Sequence, residues 1–433
     1  MTARRVLTNR VLIIGGGVSG IAAAQLARKI GYAVRISDRA VMPAEEKLSL
    51  TAQGIEVKDG GHDQSHLADV DLVVLSPGVR ADHPLLLLAQ KAKLAVLSEI
   101  DFALQNFHGR LIAVTGTNGK STTVSMIGHI FNRLGIKASV GGNLGDPPSA
   151  MISRGELRED LQSILILELS SYQLEQSHVH PAEAAAFTSF SNDHIERHGS
   201  LAAYMAAKWR VFDWVKPGGI CLLTKDVSAA AKACGMARRS DVTWLEVSGQ
   251  HNEINSKISV QVVGHLTQRT DIESLLLMLG DFKGLPFRCE VVGTINGNPV
   301  INDSKSTNCE STCAALASLK APMILMMGGK GKGESYRAVT SLANQIQELV
   351  CFGGSGQSIA DELSLPLKDL GKNTSVHAAM GGAIDRAVAA ARENGCGILF
   401  SPGCASFDEF RNFEHRGREF NNTVSGALDK TPD

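Results

Sequence analysis

The chain has 433 residues, 44% of them hydrophobic and 20% charged, which is more than one hydrophobic core usually supports, so two or three domains are expected. Lys and Arg total 43 against 44 Asp and Glu, a net charge of −1 that gives no global attraction to nucleic acid or to an anionic membrane. No apolar run is long enough to span a bilayer, the opening VLII run is too short for a signal peptide, and eight cysteines without a C-x-x-C pair read as reduced, mostly buried thiols, all of which fits a cytoplasmic protein.

In chain order, residues 10–38 place G-x-G-x-x-G, as Gly15, Gly17 and Gly20, between an apolar strand and an Ala-rich helix, and Asp38 closes the next strand, VRISD. This is the context of a dinucleotide fold with an acidic residue near the distance of a ribose hydroxyl. Alone it fits a nicotinamide or flavin enzyme and other nucleotide binders equally. Asp71–Val79, DLVVLSPGV, supplies another buried strand and a Ser-Pro-Gly turn that can face the same ligand. After a junction near Ser98 comes Leu111–Val124, LIAVTGTNGKSTTV, which reads as strand, turn and helix start. Gly116 and Gly119 let backbone N–H groups close around an anion, Lys120 adds a point charge, and the Ser121 hydroxyl can ligate the magnesium that travels with ATP. Thr117, Asn118 and Thr122 complete this phosphate loop, and the strict pattern would also want glycine where the chain has Val114.

Ser139–Pro148 is a loop by composition. The strand beginning at Ile164 is interrupted by Glu168, a carboxylate well placed beside a phosphate loop to hold magnesium. Asp193 and His194 open a polar turn after the next strand. Residues 200–215, SLAAYMAAKWRVFDWV, predict one helix capped by Ser200, with Leu201, Tyr204, Met205, Val211, Phe212 and Val215 in an apolar stripe that includes Lys208. A lysine there either snorkels to solvent or, when buried, loses its proton and can take up carbon dioxide as a carbamate. β-Branched residues in SKISVQVVGHLTQ, residues 256–268, weaken a helical reading. A short strand and the turn Asn296–Asn298 mark a third domain from about Gly293.

The wording TGTNGKST resembles the phosphate loop of the Mur ligases, ATP-dependent amino-acid ligases of peptidoglycan synthesis. Later stretches resemble the same family: the Asp193-His194 pair, the A-x-K at Lys208, Ser248, Gly249, Gln250, His251, Asn252 and Asn255, FKGLPFRCE, INDSKSTN with Asp303 to Asn308, GGKGKG, and SPGCASFDEFRNFEHRG. Phe287 stands where the family has histidine, Lys330 where an acidic residue is common, and the segment between Lys225 and Ser248 is short for the family.

The resemblance implies an α/β protein of three domains: a Rossmann-like N-terminal domain over 1–97, a central P-loop ATPase-like domain over 98–292, and a C-terminal doubly wound domain over 293–433. It implies that Val18, Ser19, Asp38, Arg39, Ser76, Gly78 and Asn143 bind UDP-N-acetylmuramoyl-L-alanine, and that Asn252, Asn255 and Arg288 join the phosphate loop in binding ATP. Two magnesium ions would be held by Ser121, Glu168, His194 and a carbamylated Lys208, with Lys120 and Lys305 serving catalysis. Lys332, Ser406 and Phe413 would contact D-glutamate, although Phe413 also fits a packed core aromatic. A monomer that touches neither nucleic acid nor membrane is expected. The reaction would pass through an acyl phosphate, since a carboxylate is inert to amines until ATP activates it. Two rivals remain: a nicotinamide dehydrogenase, which leaves the second phosphate loop unexplained, and a non-catalytic nucleotide-binding relative. Another Mur-type amino-acid ligase is a third alternative.

Overall fold

Short, wholly apolar runs buried on both faces, alternating with helices, dictate parallel sheets covered on two sides. A computed structural model describes residues 9–143, 145–157, 162–249 and 251–428, the side chains of Glu196 and His251 aside. Gln250 and the His251 side chain, part of the expected S-G-Q-H-N element, lie outside the described residues. The chain divides into two compact units, Met1–Phe282 and Lys283–Asp433.

The first sheet comprises β1 (Arg10–Ile14), β2 (Ala33–Ser37), β3 (Ile55–Lys58), β4 (Leu72–Leu75) and β5 (Ala95–Ser98), ordered β3-β2-β1-β4-β5 and parallel throughout. The order reverses between β1 and β4, so the loops after β1, β2 and β4 open onto the crevice where such sheets bind ligands. A Cβ on Gly20 would stand 1.8 Å from the Gly15 carbonyl oxygen, so only glycine lets the helix Val18–Lys29 approach β1 this closely.

In the same unit β6 (Arg110–Thr115), β7 (Ala138–Gly142), β8 (Ile164–Glu168), β9 (Ala182–Phe187), β10 (Val215–Thr224) and β11 (Thr243–Val247) form a second parallel sheet, ordered β11-β10-β9-β6-β8-β7. The helices Lys120–Arg133 and His251–Thr267 cover one face, while Met205, Phe212 and Trp214 pack on the other.

Three local expectations are corrected here. Ser139–Gly142 are strand rather than loop, because the edge beside β8 is open to them and glycine permits the approach: a Cβ on Gly142 would meet the Glu168 carbonyl oxygen at 2.3 Å. The predicted helix over 200–215 is α-helical only over Leu201–Trp209. It tightens into a 3-10 turn at Arg210–Trp214, where Val211, Phe212 and Trp214 turn into the core, and Leu201 is exposed rather than part of the stripe. Residues 256–267 are helical despite their β-branched side chains, since Ile258, Val260, Val262 and Val263 are buried and packing overrides propensity. The cysteines are free thiols as expected, but four are buried, three half-buried and Cys289 exposed.

The second unit holds β12 (Glu290–Ile295), β13 (Asn298–Asn302), β14 (Met323–Gly328), β15 (Ile346–Phe352), β16 (Asn373–His377) and β17 (Gly397–Gly403), ordered β12-β13-β17-β14-β15-β16. β12 and β13 form an antiparallel hairpin through Asn296 and Gly297, both at positive φ, and the other pairings are parallel. Helices Cys309–Ala317 and Gly356–Lys368 cover one face, Met380–Asn394 and Phe413–Leu428 the other. Among the described residues no helix is long and apolar enough to cross a membrane.

Candidate active site

β6 lies inside its sheet between β9 and β8, and its C-terminal end releases the chain into Gly116–Gly119 before the helix Lys120–Arg133 begins. Gly116 has φ +153 and Gly119 φ +83, and a Cβ on Gly116 would stand 2.0 Å from Thr188 Oγ1. Thr188 and Ser189, two residues that sequence reasoning passed over, fasten this loop from the end of β9: their hydroxyls donate to Asn118 O at 2.5 and 3.0 Å, and Thr117 N donates to Ser189 O at 2.8 Å. Their signal was the hydroxyl pair directly after a buried strand. Asn252 and Asn255 lie on the helix that packs against the loop's own helix, and Asn255 Oδ1 accepts from Thr123 Oγ1 at 3.2 Å. Ser121 and Thr122 are buried in the first helical turn, and Thr122 Oγ1 has no hydrogen-bond partner there.

Two lysines converge on one carbonyl. Lys120 Nζ donates to Gly116 O at 2.9 Å and Thr117 O at 2.8 Å, and Lys208 Nζ donates to the same Gly116 O at 2.8 Å. Lys208 is 2% exposed, with Nζ 4.9 Å from the centre of the Tyr204 ring. Burial first and the Lys120 charge second hold its pKa well below that of an ordinary lysine, against an opposing pull from Asp193 and Glu168. Snorkelling is thereby excluded: Nζ faces inward to the phosphate loop.

Glu168, buried at the end of β8, accepts from Asn143 Nδ2 at 2.7 Å. His194 has φ 55, its N–H donates to Asp193 Oδ1 at 2.9 Å, and its Nδ1 lies 3.0 Å from Tyr172 Oη. The other ring nitrogen, Nε2, lies 3.5 Å from Asp193 Oδ2; Tyr172 sits in the S-S-Y-Q capping turn, whose Ser-x-x-Gln spacing was visible in the sequence.

In the first sheet the helix that follows β1 opens with Val18 and Ser19, the loop after β2 carries Asp38 and Arg39, and the turn after β4 carries Ser76 and Gly78, so all six lie at the C-terminal edge of the sheet. Asp38 Oδ2 accepts from Gly16 N and Oδ1 from Ala40 N at 2.7 Å, and Ser76 Oγ donates to Gly15 O at 2.8 Å. The carboxylate therefore braces the glycine turn through its own hydrogen bonds.

In the second unit Lys305 follows β13, and its Nζ sits 3.9 Å above the Phe413 ring. Ser406 is buried in the loop after β17, Lys332 is exposed in the loop after β14, and Lys330 pairs with Ala405 through two backbone hydrogen bonds of 2.8 and 3.0 Å. Arg288 Nε is buried without a partner. Phe287, at φ 61, lays its ring on Gly417, where a Cβ would stand 2.4 Å from Cδ1. Its departure from the family pattern is thus taken up in packing.

A glycine phosphate loop at the end of an internal parallel strand, with lysine at the helix start and a buried carboxylate on the next strand, defines an enzyme that acts on a nucleoside triphosphate. Family models described as "Mur ligase MurD-like, N-terminal domain", "Mur ligase middle domain" and "Mur ligase, glutamate ligase domain" match residues 9–98, 114–297 and 287–404. The chain is 32% identical to a UDP-N-acetylmuramoylalanine--D-glutamate ligase of Koribacter versatilis, over 96% of this chain and 97% of the relative. It is 29% identical to the protein of the same name from Cytophaga hutchinsonii, over 96% and 99%. The solved UDP-N-acetylmuramate-alanine ligase of Thermotoga maritima shares the fold, with a TM-score of 0.60 at 18% identity over 96% of this chain and 99% of that one. The chain belongs to the Mur ligase family, whose members are ATP-dependent ligases that form amide bonds.

Proposed function

We propose that the protein joins D-glutamate to the free carboxyl of UDP-N-acetylmuramoyl-L-alanine with conversion of ATP to ADP and phosphate, as a cytoplasmic monomer. The observation that carries the reading is the match over 96% of the chain to relatives named for this reaction.

The chemistry follows from the groups at hand. The γ-phosphoryl group passes to the substrate carboxylate, the amine of D-glutamate attacks the resulting acyl phosphate, and phosphate leaves as the amide forms. The N–H groups of Gly116 to Gly119 cradle the nucleotide phosphates, Lys120 holds their charge, and Lys305 meets the transferring group. Asn252, Asn255 and Arg288 serve the rest of ATP; the buried, unpartnered Nε of Arg288 supports a ligand contact there. The edge formed by Val18, Ser19, Asp38, Arg39, Ser76 and Gly78 binds the uridine diphosphate, and Asn143 orients the sugar side. Lys332, Ser406 and Phe413 take D-glutamate.

Among the described residues no three His, Cys, Asp or Glu side chains gather as a ready ion site. The donor chemistry nevertheless fits a hard cation once the lysine is modified: Glu168, Ser121 and His194, with the carbamate oxygens of Lys208. Two magnesium ions, when bound, supply the charge that neutralises the transferring phosphoryl group. Lys208 suits carboxylation because burial favours the uncharged amine over the ammonium: that amine attacks carbon dioxide, an N–C bond forms and a proton leaves.

The test is phosphate release from ATP, magnesium and UDP-N-acetylmuramoyl-L-alanine with D-glutamate, L-glutamate, D-aspartate, L-alanine and L-lysine. Release with D-glutamate alone is expected. Release with a different amino acid reassigns the substrate, and no release with any of them overturns the enzymatic reading.

A further inference from the structure

Arg416, in the first turns of the helix Phe413–Leu428, is 0% exposed. Its guanidinium donates from Nε to Ser304 Oγ at 3.1 Å, from Nη2 to Ser304 O at 2.8 Å, and from Nη1 to Cys404 O at 3.0 Å and Ala405 O at 3.2 Å. All four acceptors are neutral oxygens. Asp303, Asp408 and Glu409 act on it through space only, and burial brings its pKa down to about 10. A buried cation without a hydrogen-bonded carboxylate is costly, so a merely structural site is an expensive place for one.

The acceptors belong to segments that carry candidate ligand groups. Ser304 precedes Lys305, and its Oγ donates to Phe413 O at 2.9 Å. Ala405 precedes Ser406 and pairs with Lys330, two residues before Lys332. The planar fork of arginine, with five donors in fixed directions, can hold these segments in one register, whereas a lysine ammonium radiates from a point.

We propose that Arg416 is the positioning residue of the amino-acid site: it sets Lys305, Lys332, Ser406 and Phe413 in mutual register without touching the substrate itself. This rests on the D-glutamate reading above. The experiment compares Arg416→Lys and Ser304→Ala with the unaltered enzyme, measuring the KM for D-glutamate and for UDP-N-acetylmuramoyl-L-alanine, kcat, and the thermal melting profile. The expected result is a rise of roughly tenfold or more in the D-glutamate KM of Arg416→Lys, with the UDP-sugar KM within about twofold, since misplacement of about 1 Å is enough for such losses. Ser304→Ala, which removes one acceptor without stranding a charge, shifts the same KM in the same direction by less.

A D-glutamate KM that stays unchanged in both variants overturns the proposal, as does a uniform fall in kcat with both KM values unmoved. If Arg416→Lys does not fold, Ser304→Ala alone decides by the same criterion. Failure of the unaltered enzyme to use D-glutamate overturns the functional reading and this inference together; an active enzyme with indifferent variants overturns only this inference.

Discussion

Asn143 Nδ2 donates to Glu168 Oε1 at 2.7 Å, and Asn143 N donates to Glu168 O at 2.8 Å. A residue assigned by resemblance to the UDP-sugar is thus bonded to one assigned to magnesium, and the strand β7 that ends immediately before Asn143 lies against the strand β8 that carries Glu168. A hydrogen-bonded partner fixes the direction in which a carboxylate offers its other oxygen. Asn143→Ala should therefore raise the magnesium concentration needed for half-maximal turnover by roughly tenfold. Magnesium titration of the initial rate checks this; a change confined to the UDP-sugar KM would give Asn143 to the substrate alone.

Lys208 offers a separation of stability from chemistry. Burial disfavours the charged form of Lys208, so its charge contributes little to folding, and Lys208→Met should fold with a melting temperature within about 4 °C of the original, a difference of roughly 1 kcal/mol or less. Ligation should fall by at least about a hundredfold, because the carboxylate that the carbamate supplies is gone. Small carboxylates such as acetate should restore part of the rate to Lys208→Ala. Normal turnover by either variant without additives would refute the carbamate.

Phe413 takes the Lys305 ammonium on its face at 3.9 Å, a contact of roughly 1 kcal/mol between two groups of the second unit. Phe413→Leu retains apolar bulk and loses the ring face. The D-glutamate KM should rise about fivefold to tenfold while the Km for ATP stays within about twofold, read from steady-state kinetics. Equal changes in both would make the ring a holder of Lys305 rather than a contact for the amino acid.

Much of this arrangement was legible because glycine turns, strand-end carboxylates and apolar runs are local signals. The phosphate loop, Glu168 and the glycine-braced edge of the first sheet all fall within a few residues of the strand that presents them. What escaped depends on distance along the chain. Thr188 and Ser189 fasten Asn118 from about seventy residues away, and Arg416 reaches Ser304 across 112 positions, so neither role is written in a spacing. The helix over 256–267 escaped for a related reason: its β-branched residues speak against a helix locally, and the neighbour that buries them is the helix Lys120–Arg133. The strand at Ser139–Gly142 was hidden by glycines whose purpose, close approach to Glu168, exists only in the folded sheet.

The junction between the first two sheets carries a pH dependence of its own. Glu99, in the short helix after β5, is buried; Oε1 accepts from Ser149 N at 2.9 Å and Oε2 has no partner. Burial pushes its pKa from the ordinary 4.5 up to about 7, with nearby Asp101 adding to the rise. The folded state keeps the proton up to about 7 while the unfolded chain gives it up near 4.5, so between these values the folded state binds more protons and stability falls as pH rises. Asp101, two residues on, works in the opposite sense. Burial pushes its pKa up, but hydrogen bonds from His180 Nε2 at 2.7 Å and from His178 Nδ1 and N, each at 2.8 Å, together outweigh that and hold it below 3.8, so its contribution is lost only under acid conditions below that window. Glu99→Gln keeps the shape of the protonated carboxyl and cannot ionise. Denaturant unfolding at pH 5 should find the variant within about 1 kcal/mol of the original protein, and at pH 8 more stable by up to about 3 kcal/mol, the free energy that corresponds to the difference between 4.5 and about 7. Parallel stability curves for the two proteins from pH 5 to pH 8 would mean that Glu99 is ionised and solvated in the native state.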